Sequence, residues 1–158
     1  LMLFMLANFI FAQKFGHINS LQLLQKMPDV ISAEKELETH GKKLQTQIQN
    51  MYLEYEKKVT EFKNQESELI PAVKEMQLKE IQDIQQRLQV AEQSAQQDLL
   101  KKKETLYAPI LKKVEDAIKL VAKESSYRYV FDTSSGSVLY AEDSDDISAL
   151  VKKKLNIN

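Results

Sequence analysis

Long stretches without helix breakers constrain the fold of this chain more than any other feature. The 158 residues include only three glycines and three prolines, whereas an average protein has about 7% glycine and 5% proline. Between Pro28 and Ser67 there is no further proline, and Gly41 is the only glycine. The sequence therefore predicts helices much longer than those of a typical globular domain.

Two of these stretches carry apolar residues at alternating steps of three and four, which is the spacing of a helix–helix seam. The first seam comprises Leu37, Gly41, Leu44, Ile48, Met51, Tyr55, Lys58, Phe62, Gln65 and Leu69. The second comprises Ile81, Ile84, Leu88, Ala91, Ala95, Leu99 and Leu106. Each seam is narrow, which favours a two-helix arm over the wider apolar face of a compact bundle.

The prolines set the predicted limits of the two helices. Residues 29–67 and 71–107 are of similar length, and at about 1.5 Å per residue each helix would be roughly 55–60 Å long. Two such helices joined by a short turn predict an antiparallel hairpin arm with its tip near 67–71. Pro109 is predicted to interrupt the second helix and to act as a hinge, because a mid-helix proline removes a hydrogen bond.

Both ends of the chain contain sequence typical of strands. A strand is predicted over 14–19, followed by an Asn19-capped helix Leu21–Lys26. Residues 127–131 and 137–140, joined by a Ser-Ser-Gly turn, predict a β-hairpin before a final helix Ile147–Leu155. The fold class is thus α+β. A β-sheet body (13–28 and 108–158) carries the arm (29–107).

So small a body offers too few apolar side chains for a sufficient core in a single chain. We therefore expect the strands to pair between subunits and the protein to oligomerise. The candidate oligomerisation residues are Phe15, Ile18, Tyr129, Val130, Phe131, Val138 and Leu139.

The first twelve residues, LMLFMLANFIFA, are uncharged and too few to span a bilayer. They match the apolar region of a secretory signal followed by Ala12, which predicts a remnant signal over 1–12 and a protein that acts outside the cytoplasm. The alternative is a buried N-terminal strand or helix.

The composition argues against several functional classes. The net charge of −1 gives no support for nucleic-acid binding, and the absence of cysteine excludes disulfides and thiol chemistry. Two distant histidines, His17 and His40, and the lack of catalytic or phosphate-binding motifs indicate no enzyme, no cofactor and no metal site.

Two stretches resemble the Skp/OmpH family of periplasmic chaperones of Gram-negative bacteria. KFGHINSLQLLQKMPDV resembles the opening strand, helix and arm entry of that family, and VEDAIKLVAKESSYRYVFDTSSGSVLYAEDSDDISALVKKKL resembles its closing elements. The resemblance implies a homotrimer whose helical arms enclose unfolded outer-membrane β-barrel precursors without ATP. A membrane surface and the outer-membrane assembly machinery are further partners that the resemblance leaves open.

The charge of the arm departs from the basic character of that family. Residues 29–107 include 12 basic and 15 acidic residues, so we do not infer a lipopolysaccharide site for this chain from the resemblance. We expect apolar side chains outside the seams to contact the client instead, and the candidates are Tyr52, Leu53, Val59, Met76, Leu78 and Val90. The equally weighted alternative is that these six are scattered surface residues or contacts within the hairpin.

Two other functions are compatible with the same elements. A structural coiled-coil spacer of the cell envelope would be rigid and would bind one folded partner. A cytoplasmic chaperone of prefoldin-like architecture would also use helical hairpins, although the signal-like segment argues against it.

Overall fold

The computed structural model describes residues 13–157, which form two compact units. The first, called the body, contains the described residues up to Ile31 together with those from Pro109 onward, and the second, called the arm, is Ser32–Ala108. The elements in chain order are β1 (Phe15–Ile18), α1 (Ser20–Gln25), α2 (Pro28–Gln65), α3 (Pro71–Glu124), β2 (Tyr129–Asp132), a 3-10 turn (Asp143–Asp145) and α4 (Ser148–Leu155).

Two long helices and a small sheet confirm the α+β fold class. The predicted signal remnant over 1–12 lies outside the described residues. Along 13–157, no helix combines the length and the apolar character needed to cross a membrane.

The sheet of the body joins the two ends of the chain. β1 and β2 are parallel, with Phe15 opposite Tyr129 and Ile18 opposite Asp132. After β1 the chain turns directly into α1, and the Asn19 side chain accepts a hydrogen bond of 3.0 Å from the backbone N–H of Gln22. This N-cap is the one predicted from the sequence.

The core of the body lies between one sheet face and the helices. Ile18 is only 1% exposed, and Ile147 and Val151 at the start of α4 are completely buried. The other large buried side chains of the body are Leu23, Met27, Val30, Ile110, Val114, Val121 and Leu155. Each fully buried side chain of this size contributes roughly 1.5–3 kcal/mol, so a single chain has more of a core than the sequence suggested.

The strand pairing predicted for the C-terminal segment is wrong in two respects. β2 pairs with β1 of the same chain, and residues 137–140 form no strand with it. The Ser-Ser-Gly turn does form, with Gly136 at φ +72°, but the chain then leaves the sheet. The backbone of β1 supplies the hydrogen-bond partners at both ends of β2. Arg128 N–H donates to the Lys14 carbonyl at 2.8 Å, and Thr133 N–H donates to the Ile18 carbonyl at 2.9 Å.

The predicted interruption at Pro109 is also wrong, because α3 continues through it to Glu124. A proline inside a helix costs about 3 kcal/mol or more. The following turns offset this cost, since Ile110, Val114, Ala117 and Val121 are all buried in the body. The boundary between arm and body nevertheless falls at Pro109.

In the arm, most residues predicted as seams have reduced exposure, with Gln65 and Leu99 as exceptions, but the packing is uneven. Phe62, Ile84 and Leu88 are buried, and they lie on the half of the hairpin that contains the turn at residues 66–70. Residues 34–61 of α2 and 89–108 of α3 include none that is buried. Good packing is therefore confined to the half of the arm near its tip.

Candidate functional site

One face of the two-stranded sheet presents aromatic side chains to solvent. Phe15, Tyr129 and Phe131 are 43%, 55% and 48% exposed. Their ring centroids are 5.9 to 6.4 Å apart, the spacing of interacting aromatic pairs. A stacked aromatic cluster left half exposed is typical of a surface that a partner covers.

The remaining oligomerisation candidates lie around this aromatic face or beneath it. Ile18 is buried in the chain's own core, where it supports the sheet. Val130 and Val138 are half-buried, and Leu139 is 97% exposed on the segment that leaves the sheet. A leucine exposed to this extent is available for contact with a partner.

A cavity of about 500 Å³ opens between the aromatic face and the segment 137–142. Phe15, Phe131 and Val138 supply its apolar walls, and Glu142 lines it as well. His17 is held in the wall by a contact of 3.0 Å between its Nε2 and the Glu142 carbonyl oxygen. Within the described chain β2 pairs with β1 alone, so its other edge is free to accept a strand.

Asp132 fixes the end of β2 to the start of α1. Its carboxylate accepts hydrogen bonds from the hydroxyl of Ser20 at 2.5 Å, the backbone N–H of Ser20 at 3.2 Å and the backbone N–H of Ser134 at 2.9 Å. Desolvation raises the pKa of Asp132, but the hydrogen bonds from Ser20 and Ser134 outweigh it, and the pKa is lowered. The carboxylate is therefore held charged as an anchor of the aromatic strand.

In the arm, the structure brings together three of the six predicted client-binding residues. Tyr52, Leu53 and Val59 line one groove of about 650 Å³ along α2. Tyr55 lines the same groove, and its ring lies 6.4 Å from that of Tyr52. Tyr52 and Leu53 are exposed, and polar and charged side chains such as Glu56 line the same groove.

The other three candidates lie on α3 and do not line that groove. Met76, Leu78 and Val90 are all exposed, and charged residues such as Lys79 and Glu80 lie among them. They are single apolar side chains along the helix, whereas the three α2 residues line a common groove.

A cavity between the two helices of the arm was not predicted from the sequence. It has a volume of about 630 Å³ and lies where the seams are poorly packed. The apolar residues that line it are Leu44, Ile48, Met51, Ala91 and Ala95, and the polar ones are Gln47, Asn50, Ser94 and Asp98. The sequence contains a pattern that indicates this cavity, because two alanines in one seam opposite larger residues leave unfilled volume.

Polar and charged pairs link the helices on both sides of this cavity. Lys58 Nζ lies 2.7 Å from Glu80 Oε1, and this hydrogen bond raises the pKa of Lys58. At the other end His40 Nε2 lies 2.8 Å from Asp98 Oδ2, and Lys102 pairs with Glu36. Among residues 13–157, no group of three or more acidic or histidine side chains could hold a metal ion.

The chain is similar to known proteins in family, in sequence and in structure. The family model of OmpH, described as outer membrane protein (OmpH-like), matches residues 14–155. The chaperone protein Skp of Yersinia enterocolitica is 25% identical over 144 residues, which cover 91% of this chain and 87% of the relative. The chaperone protein Skp of Pectobacterium atrosepticum is 24% identical, with 91% and 86% covered.

A solved structure shares the fold. The chain superposes on a protein from Caulobacter crescentus CB15, whose crystal structure is described as that of an OmpH-like outer membrane chaperone, with a TM-score of 0.81 over 92% of this chain and 85% of the other. The sequence identity is 12%, so this likeness concerns the fold alone. Together with the family match over residues 14–155, it shows that the chain belongs to the OmpH-like outer membrane protein family.

Proposed function

We propose that this protein is an ATP-independent holdase chaperone that binds unfolded outer-membrane β-barrel precursors in the periplasm and prevents their aggregation. The observation that carries the proposal is the family match over residues 14–155. The relatives named chaperone protein Skp, which match over 91% of this chain, support the same role. A binding role without catalysis agrees with a surface composed of apolar patches and exposed ion pairs.

We propose that the functional unit is a homotrimer assembled through the body. The half-exposed cluster of Phe15, Tyr129 and Phe131 supports this, since aromatic side chains concentrate in protein–protein interfaces. The free edge of β2 and the exposed segment 137–140 support strand pairing between subunits, in which each segment completes the sheet of a neighbour. The proposal of three subunits, and not another number, rests on the family resemblance.

Apolar contact is the proposed means of holding the client. Residues 54–83 carry five basic and eight acidic residues, and several of these charges are already paired within the arm. The exposed side chains of Tyr52 and Leu53, with those of Met76 and Leu78 on the other helix, are proposed to contact unfolded segments. A buried large apolar side chain contributes roughly 1.5–3 kcal/mol before ordering costs.

The test is aggregation of a urea-unfolded outer-membrane β-barrel protein diluted into buffer without nucleotide. We expect the protein to suppress light scattering, and replacement of Tyr52, Leu53, Met76 and Leu78 together by serine to weaken client binding by about tenfold or more. Raising the salt concentration should have little effect on the affinity, because salt does not screen apolar contacts. An affinity based on exposed charges would fall, since the screening length is only about 8 Å at physiological ionic strength.

The matched control replaces four exposed polar residues of the same helices, Gln49, Asn64, Gln82 and Gln93, by serine and should bind the client as the parent does. No suppression of aggregation by the parent would contradict the holdase. A steep fall in affinity with salt, together with normal binding by the apolar-to-serine variant, would show that charge holds the client and that the choice of surface is wrong.

A further inference from the structure

We infer that Leu139 of one chain inserts into the cavity beside the aromatic face of a second copy of the chain. The inference rests on the proposed assembly through the body and deepens it, because it names the side chain and the cavity that form the contact. It also gives the contact a direction, since each chain supplies a leucine to one neighbour and receives a leucine from another.

Leu139 does not fill the cavity of its own chain. That cavity, of about 500 Å³, is lined by Val138 and Tyr140 of the same segment and by Phe15 and Phe131 of the sheet. Leu139 lies between Val138 and Tyr140 in the sequence, but it is not among the lining residues, and it is 97% exposed. One chain therefore presents both an apolar cavity and, next to it, a leucine that only another molecule can cover.

The segment that carries Leu139 is anchored on both sides. Before it, the Asp132 carboxylate accepts a hydrogen bond of 2.9 Å from the backbone N–H of Ser134. After it, the Glu142 carbonyl oxygen lies 3.0 Å from His17 Nε2. A contact residue that is already held in place loses less conformational freedom on binding, so the leucine is presented in a pre-organised position.

The charges at the cavity favour this occupant over a contact between two cavities. Glu142 and Asp145 line the cavity beside the rings of Phe15 and Phe131. If the cavities of two copies faced each other, these carboxylates would come together, and like charges brought together in an interface are costly. Residues 133–141 include no charged side chain, so their entry would cover the half-exposed rings without adding a negative charge.

The separation of leucine and cavity determines the symmetry of the assembly. A contact between two different surface patches is heterologous, and repeated heterologous contacts close into a ring when the rotation allows it. A two-fold dimer instead uses the same patch on both subunits. A homotrimer with three-fold symmetry needs two different, complementary patches on each chain, and Leu139 and the cavity provide such a pair.

The first test is disulfide cross-linking, for which the chain is well suited because it contains no cysteine. Leu139→Cys and Ser137→Cys, the second at a residue that lines the cavity, are each made as single variants, one of them labelled with ¹⁵N. The two variants are mixed in urea, refolded together and oxidised with copper–phenanthroline. We expect disulfide-linked dimers that contain one chain of each kind, identified by mass spectrometry, and few dimers from either variant alone.

The matched control for cross-linking is Leu150→Cys, at an exposed leucine of α4 that does not line the cavity. When it replaces Leu139→Cys in the mixture with Ser137→Cys, we expect few cross-links. Efficient cross-linking of Leu139→Cys to itself would indicate an isologous contact and would overturn the inference.

The second test is sedimentation equilibrium of the whole protein over a range of concentrations. Leu139→Ser should raise the concentration at which half of the chains are assembled by about tenfold or more. Leu139→Ile, which conserves the apolar volume, and Leu150→Ser should assemble nearly as the parent does. Because Leu139 is 97% exposed, the helix content measured by circular dichroism should not change in either Leu139 variant.

The two tests separate this inference from the proposal on which it rests. A trimeric parent whose Leu139→Ser variant assembles equally well, and whose mixed variants give no cross-link, would overturn the contact of Leu139 and leave assembly through the body standing. A parent that remains monomeric would overturn both. The holdase activity is measured independently, by the aggregation assay.

Discussion

Two glycines with opposite surroundings show how single residues set the stability of the two units. A Cβ at Gly41 would meet only Leu99 Cδ1 at 3.7 Å, an ordinary van der Waals distance. A Cβ at Gly16 would lie 3.0 Å from Tyr127 Cδ1 and 3.1 Å from Ile147 Cγ2. Ile147 is completely buried, so it has no space into which to move.

We therefore expect alanine to have opposite effects at the two positions. Gly41→Ala should stabilise the arm by about 0.5–1 kcal/mol, because the helix loses the excess backbone entropy of glycine. Gly16→Ala should destabilise the body by about 1–3 kcal/mol through overpacking. Urea unfolding followed by circular dichroism measures both changes, and a stabilised Gly16→Ala variant would contradict the packing described around β1.

For single residues, a helix cap was predictable from the sequence, whereas packing contacts between residues far apart along the chain were not. The N-cap at Asn19 followed from residue type and spacing. The tight contact at Gly16 and the burial of Ile18 depend on residues more than 100 positions away along the chain, and nothing in the local sequence reveals them. The sequence for that reason predicts Ile18 at a subunit contact, whereas in the structure it lies in the core of its own chain.

The two long helices illustrate the reliability of periodic patterns. Most residues of both seams are among the less exposed residues of α2 and α3, since a repeat of three and four residues directly specifies one helix face. Strand pairing was predicted less well. The sequence favoured a local antiparallel hairpin, but β2 pairs with β1 in parallel, and such long-range pairing leaves no pattern in a short segment.

Pro109 provides a test of the continuous helix. Pro109→Ala restores a backbone N–H that can donate to the carbonyl of Thr105, so we expect slower hydrogen exchange in residues 105–113, by about tenfold or more if much of the proline cost is recovered. If Pro109 acts as a hinge, the distribution of spin-label distances between the arm tips of neighbouring subunits should also become narrower in this variant. Unchanged exchange in this segment would show that the proline imposes no local weakness.

At the scale of the whole molecule, the aromatic face of the body should control assembly. Phe131→Asp places a charge in the centre of the proposed interface, and an unpaired charge buried there is strongly unfavourable. Because Phe131 is 48% exposed in a single chain, the variant should keep its helix content while the proposed trimer dissociates. Sedimentation equilibrium at micromolar concentration measures the mass, and Leu21→Asp, on an exposed residue of α1, is the matched control.

A stable folded monomer of the parent protein in that experiment would contradict assembly through the body. From the sequence, oligomerisation rests on a core that looks too small, and the structure shows a larger core than the sequence suggested. The exposed aromatic face and the free edge of β2 now carry that argument, and neither could have been located without knowing which strands pair.

The way the body is assembled from both ends of the chain has a consequence for the order of folding. The backbone bonds from Arg128 N–H to the Lys14 carbonyl and from Ile147 N–H to the His17 carbonyl join segments that lie more than 100 positions apart along the chain. The contacts of the arm are formed within one hairpin, and contacts of short sequence separation form fastest. As the chain folds, the arm can therefore become ordered while β1 still lacks its partner strand, and the body closes only when β1 and β2 have come together. The aromatic face takes residues from both strands, so it forms only with this closure, and subunits can associate through it only once the body has folded.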